Sequence, residues 1–322
     1  MKTVTVIGGG TGNFVVLTTL KKLPVNVKVI VSMMDSGGST GRLRDQLGVL
    51  PPGDLRQCLV ALSDASILWR KLFLYRFESG DLYGHNFGNI FISALEKVSK
   101  NYQEVVNTAS YILKIKGEVI PVTFKKTDLI AKYDNGISLK GEEKIDQNKN
   151  KKIKIISIGL SNRVPVNKKA IEAINHSDYI IVGPGDLYTS LIPPLLVSGI
   201  SSAIKKARAK LIYIINLMTK KGQTSDYTAK KYLEVITRYL KRQPDFVVIN
   251  NGKIPSNILK WYHENDEEAV SDDLGGLDKI KIIRTDLINK KPYNKNKVDT
   301  LTRSILRHDP DKLAGVFKTI IK

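Results

Sequence analysis

The sequence predicts an α/β fold built on a mainly parallel sheet, and three observations point there. Apolar runs of strand length recur along the 322 residues, each followed by Gly, Asp or Asn and then by a stretch of helical period. The runs are rich in Val and Ile without polar alternation, as in strands buried on both faces. Two of the expected strand ends carry glycine clusters, and in such sheets ligands gather beyond the carboxyl ends of the strands.

Strands are expected at 4–7, 27–33, 153–158, 179–182, 211–215 and 246–249, and helices at 13–22, 89–100, 168–174, 201–209 and 227–242. The rhythm breaks at about 116–152. There Leu129-Ile130-Ala131-Lys132-Tyr133, Asp134-Asn135-Gly136 and Ile137-Ser138-Leu139 read as a hairpin whose turn needs positive φ. Residues 141–152 are polar and lysine-rich and read as an exposed loop, so the region is taken as a small β insertion. From about 254 to 322 the chain reads as irregular, with a helix after Asp309-Pro310. The whole, 1–322, is expected to be one elaborated domain.

Composition narrows the function classes. With 42% hydrophobic residues the chain is globular, and 51 basic against 31 acidic side chains give a net charge of +20. The single Cys58 forms no internal disulfide, and no Cys/His spacing suits structural zinc. No apolar run reaches the ~20 residues of a membrane span. Met1 to Ile7 reads as a strand and not as a secretion signal, so a cytoplasmic location is expected. The charge favours anionic partners. Lysine patches at 149–154 and 290–297 come without a nucleic-acid-binding signature, which puts a phosphorylated ligand ahead of nucleic acid.

Five motifs carry chemistry. Gly8-Gly9-Gly10-Thr11-Gly12-Asn13 lies between a strand and a helix, where glycines let the backbone approach a ligand and helix-start N–H groups face an anion. It departs from the dinucleotide fingerprint at Asn13 and lacks the Gly-Lys-Ser/Thr of a Walker loop. Asp35-Ser36-Gly37-Gly38-Ser39-Thr40-Gly41-Arg42 combines a carboxylate, hydroxyls, glycines and a guanidinium, enough to hold a polar ligand. Pro51-Pro52-Gly53-Asp54-Leu55-Arg56 opens a helix, with Asp54 as its expected N-cap and Arg56 as a ligand contact. In Gly84-His85-Asn86-Phe87-Gly88-Asn89, His85 is a candidate general base, Asn86 offers an amide for base or sugar, and Asn89 reads as a helix cap.

Gly183-Pro184-Gly185-Asp186-Leu187-Tyr188-Thr189-Ser190 makes a second strand-end cradle, of the kind a ligand larger than one phosphate requires. Asn216, Thr224 and Asn250 end or follow later strands with polar groups. Neither a nucleophile elbow, a zinc-protease helix nor a kinase motif set is present.

With these motifs in this order, and Arg307-His308-Asp309-Pro310-Asp311-Lys312-Leu313-Ala314 near the end, the sequence resembles the YvcK-type gluconeogenesis factors, relatives of the CofD-type 2-phospho-L-lactate transferases. The resemblance implies a Rossmann-like, doubly wound sheet with its site at the strand ends. It further implies a cytoplasmic protein that binds a UDP-sugar, notably UDP-N-acetylglucosamine, and supports growth and cell shape on gluconeogenic carbon through an unidentified protein partner, with a homo-oligomer left open. Thr11 matches the family's glycine-loop threonine, and Tyr262 and Arg307 match its C-terminal contacts.

The alternative is a CofD-like transferase moving a phospholactyl-type group, with Mg²⁺ at Asp35 or Asp186 and His85 or Asp35 assisting. One departure counts against it: Met34 stands before Asp35 where many members carry a second acid. The expected ligand set is therefore Gly9, Gly10, Thr11, Gly12, Asp35, Gly37, Gly38, Arg42, Arg56, Asn86, Gly183, Gly185, Asp186, Tyr188, Thr189, Asn216, Thr224, Asn250, Tyr262 and Arg307.

Overall fold

A computed structural model describes residues 1–291 and 304–321. The first unit is β1 (Lys2–Gly8), α1 (Gly10–Leu20) and β2 (Val25–Val31). Five helices follow: α2 (Gly38–Leu47), α3 (Gly53–Leu62), α4 (Ile67–Leu74), α5 (Phe87–Val98) and α6 (Tyr102–Ile112). They lead to β3 (Glu118–Pro121) and then to β4 (Leu129–Tyr133), β5 (Ser138–Lys140), α7 (Glu142–Gln147) and β6 (Ile155–Leu160). The second half runs α8 (Lys168–Asn175), β7 (Tyr179–Val182), a π-turn (Leu187–Leu191), α9 (Ile192–Leu196), α10 (Ile200–Lys206) and β8 (Lys210–Ile214). It ends with α11 (Ala229–Leu240), β9 (Phe246–Asn250), α12 (Ser256–Glu264), β10 (Lys281–Thr285) and α13 (Pro310–Ile320).

Seven strands form one parallel sheet in the order β10-β9-β8-β7-β1-β2-β3. This is the doubly wound arrangement: the chain moves outward from β1 through β2 to β3, then returns to the other side of β1 as β7. The central strands are apolar because helices cover both faces, and Val4, Val6, Ile7, Ile180, Ile181 and Val182 are all fully buried. At roughly 1.5–3 kcal/mol per fully buried aliphatic side chain, these strands anchor the fold. α13 packs on α1, and Asp309 Oδ1 caps it by accepting the Asp311 and Lys312 N–H groups at 2.9 and 3.1 Å. No single helix among the described residues is long and apolar enough to cross a membrane.

The hairpin forms as expected, β4 against β5, with Gly136 at φ +85° in its turn. Three expectations change. The run at 153–158 is not a strand of the parallel sheet: β6 pairs antiparallel with β4 in a separate three-stranded sheet, where Ile155 and Ile158 are buried but Ile156 is 57% exposed. Residues 118–121 belong to the main sheet as its edge strand β3, so the antiparallel unit starts later than 116. Residues 141–152 are not all loop, because α7 buries Ile145 and turns its acids inward. The lysine patch at 290–297 falls outside the described residues beyond Lys291, as do residues 298–303.

Candidate functional site at the switch point of the sheet

β1 and β7 are paired neighbours, and the winding reverses between them. Loops leaving such a pair diverge to opposite faces and open a crevice. After β1 the chain turns at Gly10, φ +67°, directly into α1. After β7 it turns at Gly183, φ +84°. The two loops touch: a Cβ on Gly12 would run into the Pro184 carbonyl oxygen. Asn216, just beyond β8, braces the second loop by accepting the Gly185 N–H at 3.0 Å. Together they line a cleft that opens to solvent.

Several helices begin on this cleft. Gly9 to Gly12 start α1, Gly37, Ser39 and Thr40 start α2, and Gly53, Asp54 and Arg56 start α3. First-turn N–H groups lack intrahelical partners, so the wall carries partial positive charge. Two carboxylates already use some of it. Asp35 Oδ1 accepts the Gly37 N–H at 2.9 Å, and Asp54 Oδ1 accepts the Gly10 N–H at 2.8 Å. The expected N-cap role of Asp54 is thus corrected: Pro52 is the cap residue, and Asp54 reaches from α3 to hold the first glycine loop. Asn89 is corrected likewise. Asn86 is the N-cap of α5, accepting the Asn89 N–H at 3.2 Å, whereas Asn89 lines the cleft and donates to Ser39 Oγ at 3.3 Å.

The opposite wall is ionic. Lys220 lies between Asp146 of α7, at 2.9 Å, and Asp186, with which it forms a tighter pair. Burial alone would lower the Lys220 pKa, but the two carboxylates reverse this and raise it, so the ammonium is fixed. Burial likewise pushes Asp146 up, yet Lys220, Gln223 and Thr189 hold its carboxyl below the usual range. Glu142, one turn earlier on α7, accepts the Ser36 N–H at 3.2 Å. Burial, Asp146 and Asp35 push its pKa well up, which favours the protonated form.

The third side comes from α12 and the segment before α13. Trp261 and Tyr262 stack edge to face at 4.9 Å, and the Tyr262 hydroxyl bonds Ser304 Oγ at 2.6 Å and accepts the Leu306 N–H at 3.0 Å. Arg307 and His308 complete this side. His308 is 5% exposed, and burial pulls its pKa down to about 4 against an opposing bond to the Ile215 backbone. Its Nε2 has no hydrogen-bond partner.

Of the residues expected from sequence, the cleft wall brings together Gly9, Gly10, Thr11, Gly12, Asp35, Gly37, Arg56, Gly185, Asp186, Thr189, Asn216, Tyr262 and Arg307. Gly38 and Gly183 lie off the wall and shape its turns. Arg42 is exposed and donates to the Tyr83 carbonyl at 3.0 Å. His85 stands behind Ser39, 3.3 Å from its Oγ, and Asn86 is occupied as a cap. Tyr188 is buried against the Tyr227 hydroxyl at 2.7 Å. Thr224 accepts from the Lys220 N–H and the Tyr232 hydroxyl, and Asn250 accepts the Leu287 N–H at 2.9 Å.

Sequence reading missed Arg76, Glu142, Asp146, Lys220, Trp261, Glu267 and His308 on the wall. Glu142 and Asp146 had a signal, the i,i+4 spacing that sets two acids on one helix face. Lys220 had none, since its partners come from distant segments.

Comparison with known proteins agrees with this architecture. Residues 4–288 match the family model described as 2-phospho-L-lactate transferase CofD. A protein of Aquifex aeolicus named "Putative gluconeogenesis factor" is 39% identical over 99% of this chain and 96% of its own length. The "Gluconeogenesis factor" of Bacillus subtilis is 34% identical over 99% of this chain and 98% of its own. A crystal structure of a UPF0052 family member from Bacillus halodurans superposes with a TM-score of 0.90 at 33% identity, covering 98% of both chains. The two glycine loops, the sheet that carries them and these full-length likenesses together make this chain a member of the CofD family, among its gluconeogenesis factors.

Proposed function

We propose that this protein binds a nucleotide sugar, a UDP-sugar with UDP-N-acetylglucosamine as first candidate, and acts as a regulatory protein in growth on gluconeogenic carbon and in cell-wall homeostasis. One observation carries the reading: the loops after β1 and β7 touch, and they line a single cleft with the starts of α1, α2 and α3. A diphosphate is stabilised by such N–H groups and helix ends. Arg56, Arg76 and Arg307 on the same wall supply guanidinium groups suited to phosphate oxygens. Trp261, with the buried Tyr262 packed behind it, offers aromatic surface for a base, and Asp35, Asp146 and Glu142 offer acceptors for sugar hydroxyls. Ligand occupancy would bias the conformation that a protein partner meets.

The family match favours a second reading, a transferase acting on a nucleotide-activated donor with Mg²⁺. The donor set fits such an ion poorly. Among the described residues no three His, Cys, Asp or Glu side chains converge as ligands, and Asp186 is committed to Lys220. Asp35 would hold the ion together with the ligand's own phosphates, as Mg²⁺ sites often do. His85, behind Ser39, is poorly placed as the base.

Thermal-shift measurements with UDP-N-acetylglucosamine, UDP and GDP, each with and without Mg²⁺, separate the two. The binding reading expects stabilisation by the UDP-sugar without Mg²⁺ and without product. Strict Mg²⁺ dependence with a preference for GDP would transfer the assignment to the transferase, and no shift with any nucleotide would end both. Thr11→Ala and Arg307→Ala are each expected to weaken binding about tenfold while leaving the unliganded melting temperature unchanged.

A further inference from the structure

Single exposed apolar side chains such as Val98, Tyr111 and Ile156 are scattered over the surface, which is ordinary. Residues 67–83 differ. α4 turns Phe73 fully inward, against Phe87 and Phe91 at 6.1 and 5.1 Å, and is apolar on its outer side too. Ile67 is 70% exposed, Leu68 75%, Leu74 48% and Tyr75 49%. Their spacing of i, i+1, i+7 and i+8 makes one helical face. Trp69 at the edge is 41% exposed, and the hairpin that follows carries Leu82 and Tyr83 about half exposed. Large apolar side chains exposed side by side in this way mark an interaction surface.

We propose that this face is a self-association surface, on which a second copy of the chain docks through α4 and the 75–87 hairpin. Area and charge both favour that occupant. At these exposures the seven side chains leave on the order of 700 Å² in water, more than an ordinary monomer exposes in one patch and close to the ~800 Å² per partner of a standard stable interface. The charges are of both signs: Lys71 is exposed within the apolar stripe, and Glu78 and Asp81 are exposed on the hairpin tip. A two-fold contact repeats one surface on both subunits, so each copy's Lys71 can meet the other's Asp81. The face also backs on the cleft, because the Phe73 carbonyl accepts from Arg56 Nη1 at 3.1 Å and Arg76 leaves the end of α4 to line the cleft wall. The proposal stands independently of which ligand the cleft takes.

Sedimentation velocity on the full chain across micromolar concentrations tests it, with Leu68→Asp and Lys71→Glu as variants. The expected result is a dimer whose association weakens about 100-fold in Leu68→Asp and about tenfold in Lys71→Glu, with unchanged far-UV circular dichroism in both. Both side chains are exposed, and should Leu68→Asp fail to fold, Lys71→Glu alone carries the test. A wild-type monomer throughout, or a dimer indifferent to Lys71→Glu, overturns the proposal. So does a wild-type monomer that co-sediments with phosphatidylserine vesicles when Leu68→Asp does not, since the face would then serve a membrane.

Discussion

Asp54 shows how much can rest on one side chain. It sits in the first turn of α3, where an acid is favoured by the helix dipole, and spends that position on a neighbour by accepting the Gly10 N–H 44 residues away. Without it the first N–H of α1 would face the cleft with no carboxylate against it. Asp54→Ala is expected to cost about 1–3 kcal/mol of unfolding free energy, read from urea melts, while Asp54→Asn, which keeps an acceptor oxygen, costs less than half as much. Equal losses in the two variants would mean that charge and not the hydrogen bond matters here.

At the scale of elements, the site is a contact between two loops. In the first turn of α1 the backbone at Gly12 lies against the Pro184 carbonyl, with no room for a side chain. Gly12→Ala therefore pushes one backbone from another, an overpacking with no flexible neighbour to yield, and about 1–3 kcal/mol of destabilisation is expected in urea melts. Loss of the nucleotide-induced thermal shift should accompany it; a variant with wild-type stability would deny the contact. These loops were legible because glycine has a specific reason to stand where backbones approach or φ turns positive. α7 was not, because four charged residues among the six before Gln147 and the lysines after it mask a one-residue apolar anchor, Ile145. β10 escaped notice because an edge strand needs only one buried face: it reads Lys-Ile-Ile-Arg-Thr, with none of its residues fully covered. β3 is buried along Val119 to Pro121, but four residues ending in proline are too short a run to stand out. The Lys220 pair with Asp146 and Asp186 joins three segments, and no spacing along the chain encodes it.

At the scale of the whole molecule, the order of strands decides which residues meet, and it brings the segment before α13 back over the ends of β8 and β9. His308 is buried there beside Ile215, uncharged, and forms a bridge with Ile288. Its fate couples folding to pH. In the unfolded chain the ring titrates near 6.5, and in the folded protein burial holds its pKa down to about 4. Between those values the unfolded state binds the extra proton, so stability rises with pH through this window. The contribution is whole above about pH 6.5 and is lost as the pH falls towards 4, about 3 kcal/mol in all. Carboxylates and the growing positive charge of a chain already at +20 also act on acidification, so wild type alone cannot isolate the term. His308→Gln removes the titrating ring and leaves the rest in place. Urea unfolding of both proteins at about pH 7.5 and about pH 4.5 should find the wild type losing roughly 2–3 kcal/mol more than the variant on acidification. Parallel losses would mean that His308 is hydrated or already protonated in the folded state, and that the cleft meets its ligand with a cation on this side and not a neutral ring.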